Sequence, residues 1–409
     1  MADAAEHEVA HVLRRVCLGP HPNQVDRWRS EGIDRLLAWA LDAPPLPSDP
    51  AEGIGEDGEE ALLDGWIRQL RHPDAALHER LTWFWHGHFT TSADKASFVP
   101  ALWRQQRVLR RHALGNFREL VRELVTDAAM LVYLDGDGSV ADAPNENLSR
   151  ELMELFTLGR GTYSEDDVRA GARALSGWSV DGEDGWKVRF TKDDGPAGPV
   201  SFLGRSVGDA DGVVDAVCDH PACAPFIAAK LHAHLVGVAP DEARTAELGA
   251  LFAAGGLEIR PLVTAIVTHP SFRDPANRRP RYPAEWLAAA LAATGSVGEA
   301  DHSNWYWFAQ VGQRPFAPPN VGGWPAGPRW LSASSVMTRA ALVAQMGPDP
   351  AVLGPVEQVT AVLRRCLLTD VSPSTRSALD AAARTIDDEY ERVLALFTLA
   401  LTSPEFSLL

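Results

Sequence analysis

Apolar residues recur at helical spacing along most of the chain. Val9, Val12, Leu13 and Val16 fall at i, i+3, i+4 and i+7, one face of a helix over 5–18, and Gly19-Pro20 stops it. The same spacing predicts helices over 23–28, 33–41, 61–70, 75–89, 102–114, 117–125, 147–158 and 166–175. It resumes over 212–218, 223–235, 241–254 and 259–268, and again over 333–345, 356–366, 374–385 and 390–401. Between 181 and 211 the pattern changes. There 186–190 and 200–203 are short strand-like runs among Gly, Asp and Pro, the pattern of a β-hairpin or lid. Segments 43–60 and 313–330 are rich in Pro and Gly and read as irregular. The expected fold is mainly α, a large all-helical, bundle-like body with a small β-hairpin insertion. Its parts are an N-terminal helical part over 1–180, the hairpin or lid over 181–211, and a C-terminal helical part over 212–409 packed on the first as one continuous fold. A T-x-P-x-F echo at 268–272 and 402–406 marks one device used twice, Pro after a helix end with Phe folding back on the core.

Composition narrows the function classes. The chain has 55 Asp and Glu against 38 Lys and Arg, a net charge of −17. That balance opposes a general grip on nucleic acid, which needs clustered cations, and opposes anionic membrane surfaces. No stretch approaches the roughly 18 uncharged apolar residues of a membrane span. The first residues carry Asp3, Glu6 and Glu8 with no basic segment ahead of an apolar one, so a cytoplasmic location without membrane contact is expected. Four cysteines, Cys17, Cys218, Cys223 and Cys366, are too few for a disulfide scaffold and are expected to be reduced and buried. Thirteen tryptophans are the unusual count.

Candidate chemistry sits in a few dense segments. In Trp85-His86-Gly87-His88-Phe89, two imidazoles two residues apart share a face only if the backbone is extended, and Gly87 permits a break there. The other reading keeps His88 on the apolar line of Leu77, Leu81 and Phe84 as a hydrogen-bonded core residue, with His86 at the helix end. In the helix over 147–158, Asn147, Glu151 and Glu154 line up at i, i+4 and i+7, a row suited to a divalent cation or to the arginines Arg169 and Arg173. Asp135-Gly136-Asp137-Gly138-Ser139 has oxygen ligands in calcium-loop order but Val140 where such a loop needs Gly, so a plain turn competes with a nonstandard cation site. The basic run Arg278-Arg279-Pro280-Arg281-Tyr282 either meets an anion or balances nearby acids. The run Trp305-Tyr306-Trp307-Phe308 cannot point wholly into one core, and Pro318-Pro319-Asn320-Val321-Gly322-Gly323-Trp324-Pro325 is a stiff turn with flexible glycines, suited to a lid. His232 and His234 face apart on a helix and read as structural. No phosphate loop, G-x-S-x-G elbow or H-E-x-x-H pair is present.

An ordered series of motifs runs along nearly the whole chain: W-H-G-H-F at 85–89, D-A-A-M-L-V-Y-L-D at 127–135, P-N-E-N-L-S-R-E-L-M-E-L-F-T-L-G at 144–159, Y-S-E-D-D-V at 163–168, A-R-A-L-S-G-W at 172–178 and P-P-N-V-G-G-W-P at 318–325. Together they resemble the bacterial family catalogued as domain of unknown function 1800. The resemblance implies an all-helical fold and groups His86, His88, Glu146, Arg150, Glu151, Glu154 and Arg173 as one constellation. Many members look exported and are encoded beside a second, sulfatase- or phosphatase-like family, which implies a protein of that neighbouring family as a partner. This chain departs in showing no export signal. It also offers Lys192-Asp193-Asp194-Gly195 where members often carry a His in an H-D-x-G-x-K stretch.

The leading expectation is a metal-dependent enzyme, hydrolytic or oxidative, with its site between 83–89 and the helix over 147–158. His86, His88, Glu151 and Glu154 are the expected ligands of a divalent metal ion, since imidazole with carboxylate suits such ions. His86, Glu146, Glu151 and Arg173 are the expected catalytic groups, with Arg173 orienting a carboxylate. The turn over 318–330 and the hairpin over 181–211 are expected to cover an aromatic-walled pocket. Two readings stand beside this one: metal-free acid–base catalysis by a His–Glu pair, and a non-catalytic helical scaffold that binds another protein through 304–308.

Overall fold

The computed structural model describes residues 4–43, 58–72, 74–296, 304–353 and 357–409. The expected loop over 43–60 lies, apart from its ends, outside the described residues, as does the side chain of Trp305. Among the described residues stand 22 α-helices and two antiparallel two-stranded sheets, so the chain is mainly α. None of these helices is long and apolar enough to cross a membrane.

Local signals set most helix limits. Phe117–Val125 begins where Asn116 accepts from the amides of Arg118 and Glu119, and it buries Phe117, Leu120, Val121 and Leu124 on one face. Glu165–Ala174 begins at a reciprocal capping box between Ser164 and Asp167. The repeated T-x-P-x-F segments form two one-turn helices, Pro270–Arg273 and Pro404–Ser407, capped by His269 and Ser403 and burying Phe272 and Phe406.

Two expectations change. The strand-like runs do not pair with each other. Lys187–Phe190 folds back on Trp178–Asp181, and Val200–Phe202 pairs with Arg205–Val207. The second pairing closes across Leu203 and Gly204, both at positive φ (49° and 74°), the two-residue turn that matches strand twist. The helix expected over 147–158 is α only through Asn147–Glu151 and continues as a π-helix over Leu152–Thr157.

The buried apolar side chains form two clusters, and each draws on both halves of the sequence. The helix Leu77–His88 stands between them, giving Leu77, Leu81 and Trp85 to one and Trp83 to the other. The second cluster is built round Pro283–Thr294, whose Trp286, Leu287, Ala288 and Leu291 are buried. This helix is apolar on every side, so it carries no period for a sequence reading to find.

One buried carboxylate ties these two helices. Glu285 takes Arg80 Nη1 at 2.8 Å, Arg279 Nη1 and Nη2 at 2.7 Å each, and the Tyr282 amide at 3.0 Å. Arg80 also donates to the carbonyl of Cys17 at 2.6 Å. Burial alone raises a carboxyl pKa, but the charges of Arg279 and Arg80 overcome it and hold Glu285 well below the usual carboxylate range. Glu285→Gln leaves two buried guanidinium groups without a counter-charge and is expected to cost about 3–5 kcal/mol in urea unfolding at neutral pH. The folded value is the depressed one, so this contribution is complete above the unfolded value of about 4.3, declines below it and is gone only once pH has fallen through the depressed folded value. Wild type and Glu285→Gln should therefore converge in stability on acidification.

Candidate functional site

The helix Leu77–His88 does not break at Gly87, so His86 and His88 point to different surroundings. His86 is enclosed by Trp66, Trp83, Phe316 and Trp324, with ring centroids 4.9–5.5 Å away. Its Nε2 accepts the Phe316 amide at 3.2 Å. Burial lowers its pKa to about 3, so the ring is neutral and its lone pair is in use.

His88 meets the end of the π-helix. Its Nε2 donates to the Phe156 carbonyl at 2.9 Å, which places the proton on Nε2 and leaves Nδ1 as a buried lone pair with no partner. The preceding carbonyl, Leu155, accepts Lys230 Nζ at 3.3 Å. In the widened turn the amides of Leu158 and Gly159 both return to Met153, and the Thr157 hydroxyl donates to Leu152 at 2.6 Å. The carbonyls of Leu155 and Phe156 are therefore free to face other elements, as terminal helix carbonyls are.

The turn at 318–325 closes over this region. The Thr90 hydroxyl donates to the Val321 carbonyl at 2.5 Å. Gly323, at φ +79°, lies so close to Gly87 that a Cβ would stand 2.5 Å from the Gly87 carbonyl oxygen. Trp324 stacks on Trp83 with 6.3 Å between centroids. Two glycine motifs far apart in sequence thus make one backbone contact.

Between the turn and the helices Leu77–His88 and Cys223–Val236 lies a cleft of about 690 Å³. Trp83, Phe84, Tyr282 and Trp324 supply its apolar walls, and Lys230, Arg329, His88 and His234 its ionisable groups. No Asp or Glu is among the described lining residues, in a chain of net charge −17. Among the described residues Lys230 has no carboxylate partner; it lies over the Phe226 ring at 4.9 Å, and burial lowers its pKa to about 8. Burial likewise holds His88 and His234 well below the ordinary imidazole value, with Lys230 adding to the shift at His88 and Arg279 at His234. His234 Nε2 is a second buried ring nitrogen without a partner. Arg279 links the cleft to the buried ion group, donating to the His234 carbonyl at 2.9 Å and stacking on Tyr282 at 4.7 Å.

Of the residues singled out from sequence, His88 lines the cleft and His86 stands behind Trp83 and Trp324. Glu146, Glu151, Glu154 and Arg173 lie outside its lining. Glu146 pairs with Arg150 at 3.0 Å. Glu154 is held by Arg160 at 2.6 Å and by the Tyr163 hydroxyl at 3.0 Å. Glu151 is half-buried, its carboxyl raised first by that burial and then by Glu154. Arg173 has Asp142 at 4.0 Å, and Arg169 pairs with Asp166, so the arginine counter-row does not meet the glutamates. Among the described residues no group of three or more His, Cys, Asp or Glu side chains is placed to hold a metal ion. The Asp135–Ser139 turn uses its carboxylates on protein donors: Lys95 on Asp135 at 2.5 Å and the Val180 amide on Asp137 at 2.7 Å. In the basic run, Arg279 serves Glu285 and Arg281 packs over Phe406 at 4.2 Å. Neither hairpin lines the cleft. Sequence reasoning missed Lys230 and Arg329, named Tyr282 only as the end of the basic run, and set His234 aside. The signal for Lys230 was a single charge inside the otherwise apolar C-A-P-F-I-A-A-K-L-H-A-H-L-V helix.

Over residues 11–408 the chain matches the model of the family described as a protein of unknown function, DUF1800, and it belongs to that family. No curated protein and no solved structure matches it.

The glycine contact gives a direct test of the roof. Gly323→Ala adds a Cβ against backbone at a φ that side chains disfavour, with an expected loss of about 1–3 kcal/mol and a shift in tryptophan emission as Trp324 moves. Gly322→Ala meets only the Asn320 side chain, at 3.1 Å, and should remain within about 0.5 kcal/mol of wild type in the same thermal unfolding measurement.

Proposed function

We propose that the chain is an enzyme acting on a small organic anion with an apolar or aromatic body, bound in the cleft beneath the 318–325 turn. The observation that carries this reading is the lining itself: Lys230, Arg329 and two neutral imidazoles between aromatic walls, with no acid among the described lining residues. A cleft with cations of one sign and low-dielectric walls concentrates anions. Arg329 is exposed at the mouth and permanently charged, which suits capture of a carboxylate or phosphate. Lys230 and His88 stand deeper, beside the π-helix carbonyls, where Lys230 adds a second cation at neutral pH and the neutral His88 imidazole can take a proton from a bound substrate. This reading rests on amine and imidazole groups rather than on the His/Glu metal centre expected from sequence. Its reason is that His86, His88 and the glutamates occupy separate surroundings.

Calorimetric titration with terephthalate, an aromatic dianion, tests it. Arg329→Ala should weaken binding by about tenfold at any pH between roughly 7 and 9, the loss of one charge-assisted contact. Lys230→Ala should weaken it by a similar factor at pH 7. That difference should shrink above pH 8, where the wild-type amine loses its own charge. Equal affinity in wild type and both variants would defeat the reading and favour the scaffold alternative.

A further inference from the structure

We propose that Lys230 is a covalent catalyst that forms an imine with an aldehyde or ketone group of the substrate, the substrate's anionic group being held by Arg329. The inference rests on the anion-binding reading of the cleft and adds the reacting group to it.

The first support is residue choice. Of the 38 Lys and Arg residues only four are lysines: Lys95, Lys187, Lys192 and Lys230. Lys95 pairs with Asp135, Lys187 lies 3.7 Å from Asp184, and Lys192 is exposed. For nearly all its other cations this chain uses arginine, which cannot act as a nucleophile because it does not deprotonate in proteins. Lys230 stands in a pocket lining with no carboxylate to hold it charged.

The second support is placement. The Leu155 carbonyl accepts from Nζ and leaves the rest of the amine to the cleft, while the Phe226 ring covers one side. Two buried imidazole nitrogens without partners, His88 Nδ1 and His234 Nε2, belong to side chains of the same lining. Burial that lowers the amine to about 8 raises the fraction of free base near neutral pH by on the order of a hundredfold over an ordinary lysine.

The chemistry balances without a further reactant. The Nζ lone pair attacks the carbonyl carbon, a C–N bond forms and the C–O π bond breaks; nitrogen gives up one proton and oxygen gains one, producing a carbinolamine. Loss of that hydroxyl with the second nitrogen proton as water leaves the imine. A neutral imidazole of the same lining accepts and returns the protons. The imine, once protonated, is an electron sink for bond cleavage or proton loss at the adjacent carbon.

The test treats the full-length protein with para-carboxybenzaldehyde and cyanoborohydride at pH 8, then locates the label by peptide mass mapping. Reduction fixes the adduct as a secondary amine, adding the probe less one oxygen atom. Lys230 should label about tenfold or more above Lys95, Lys187 and Lys192, and excess terephthalate should abolish the difference. Lys230→Arg should bind terephthalate and take no cleft label. Even labelling over the four lysines, with terephthalate still bound, overturns the imine and leaves the anion cleft standing. Even labelling with no terephthalate binding overturns both.

Discussion

Two main-chain carbonyls, those of Leu155 and Phe156, fix the arrangement on which the cleft depends. An α-helix running on through 160 would spend them on the amides of residues 159 and 160. The π-helix over Leu152–Thr157 instead sends the amides of both Leu158 and Gly159 to Met153, and the Thr157 hydroxyl occupies Leu152. The freed carbonyls then take Lys230 and His88 from two other helices. Because a carbonyl only accepts, it dictates the proton position on His88 and orients the Lys230 amine without neutralising it. A carboxylate in the same place would have paired the lysine and kept it charged. Thus the E-L-F-T-L-G segment acts through its backbone, and its one carboxylate, Glu154, belongs to a different, partly exposed set of contacts.

The floor and roof of the cleft are held by different physics. Below, Glu285 with Arg80 and Arg279 is a buried ion group centred on one carboxylate, so removing Glu285 strands both guanidinium groups. That group reaches the cleft directly, since Arg279 holds the His234 carbonyl and stacks on Tyr282. Above, the turn carrying Trp324 is seated by a glycine-to-glycine approach that no side chain could replace. The floor is fixed by charge in low dielectric, the roof by shape.

Helices with one apolar face were legible in the sequence because burial imposes the period; Phe117–Val125 and Glu165–Ala174 also carry their caps in the sequence. Pro283–Thr294 was not, because burial on all sides erases the period. The hairpin insertion lies where the sequence places it, but its two strand runs belong to two hairpins, because strand runs show where strands are while partners are chosen by turns such as Leu203-Gly204. At the site, the turn over 318–330 was expected to cover the pocket beside W-H-G-H-F, and in the structure P-P-N-V-G-G-W-P meets that motif in one backbone contact. The i, i+4, i+7 row of Asn147, Glu151 and Glu154 assumed an α-helix, and the π-helix begins between the second and third of them. Lys230 escaped because one lysine has no pattern; its meaning comes from what surrounds it.

The acidic chain and its cationic cleft are compatible once distance is considered. A net charge of −17 spread over the surface repels an approaching anion only within the screening length, about 8 Å at physiological ionic strength. Inside the cleft the nearest groups are Lys230 and Arg329, with aromatic walls that exclude water and strengthen contact charges. On the proposed reading, surface acids govern how often an anion arrives, and the two cleft cations govern how firmly it stays. A surface patch that bound anions would need basic residues spread over a face, and this chain places its basic residues largely in pairs with acids, as at Arg118 with Asp215 and at Arg122 with Asp211. Against that background the cleft stands out, with Lys230 and Arg329 and no acid among its described lining residues, an arrangement that under the proposed reading suits a small anion able to enter and not a charged surface.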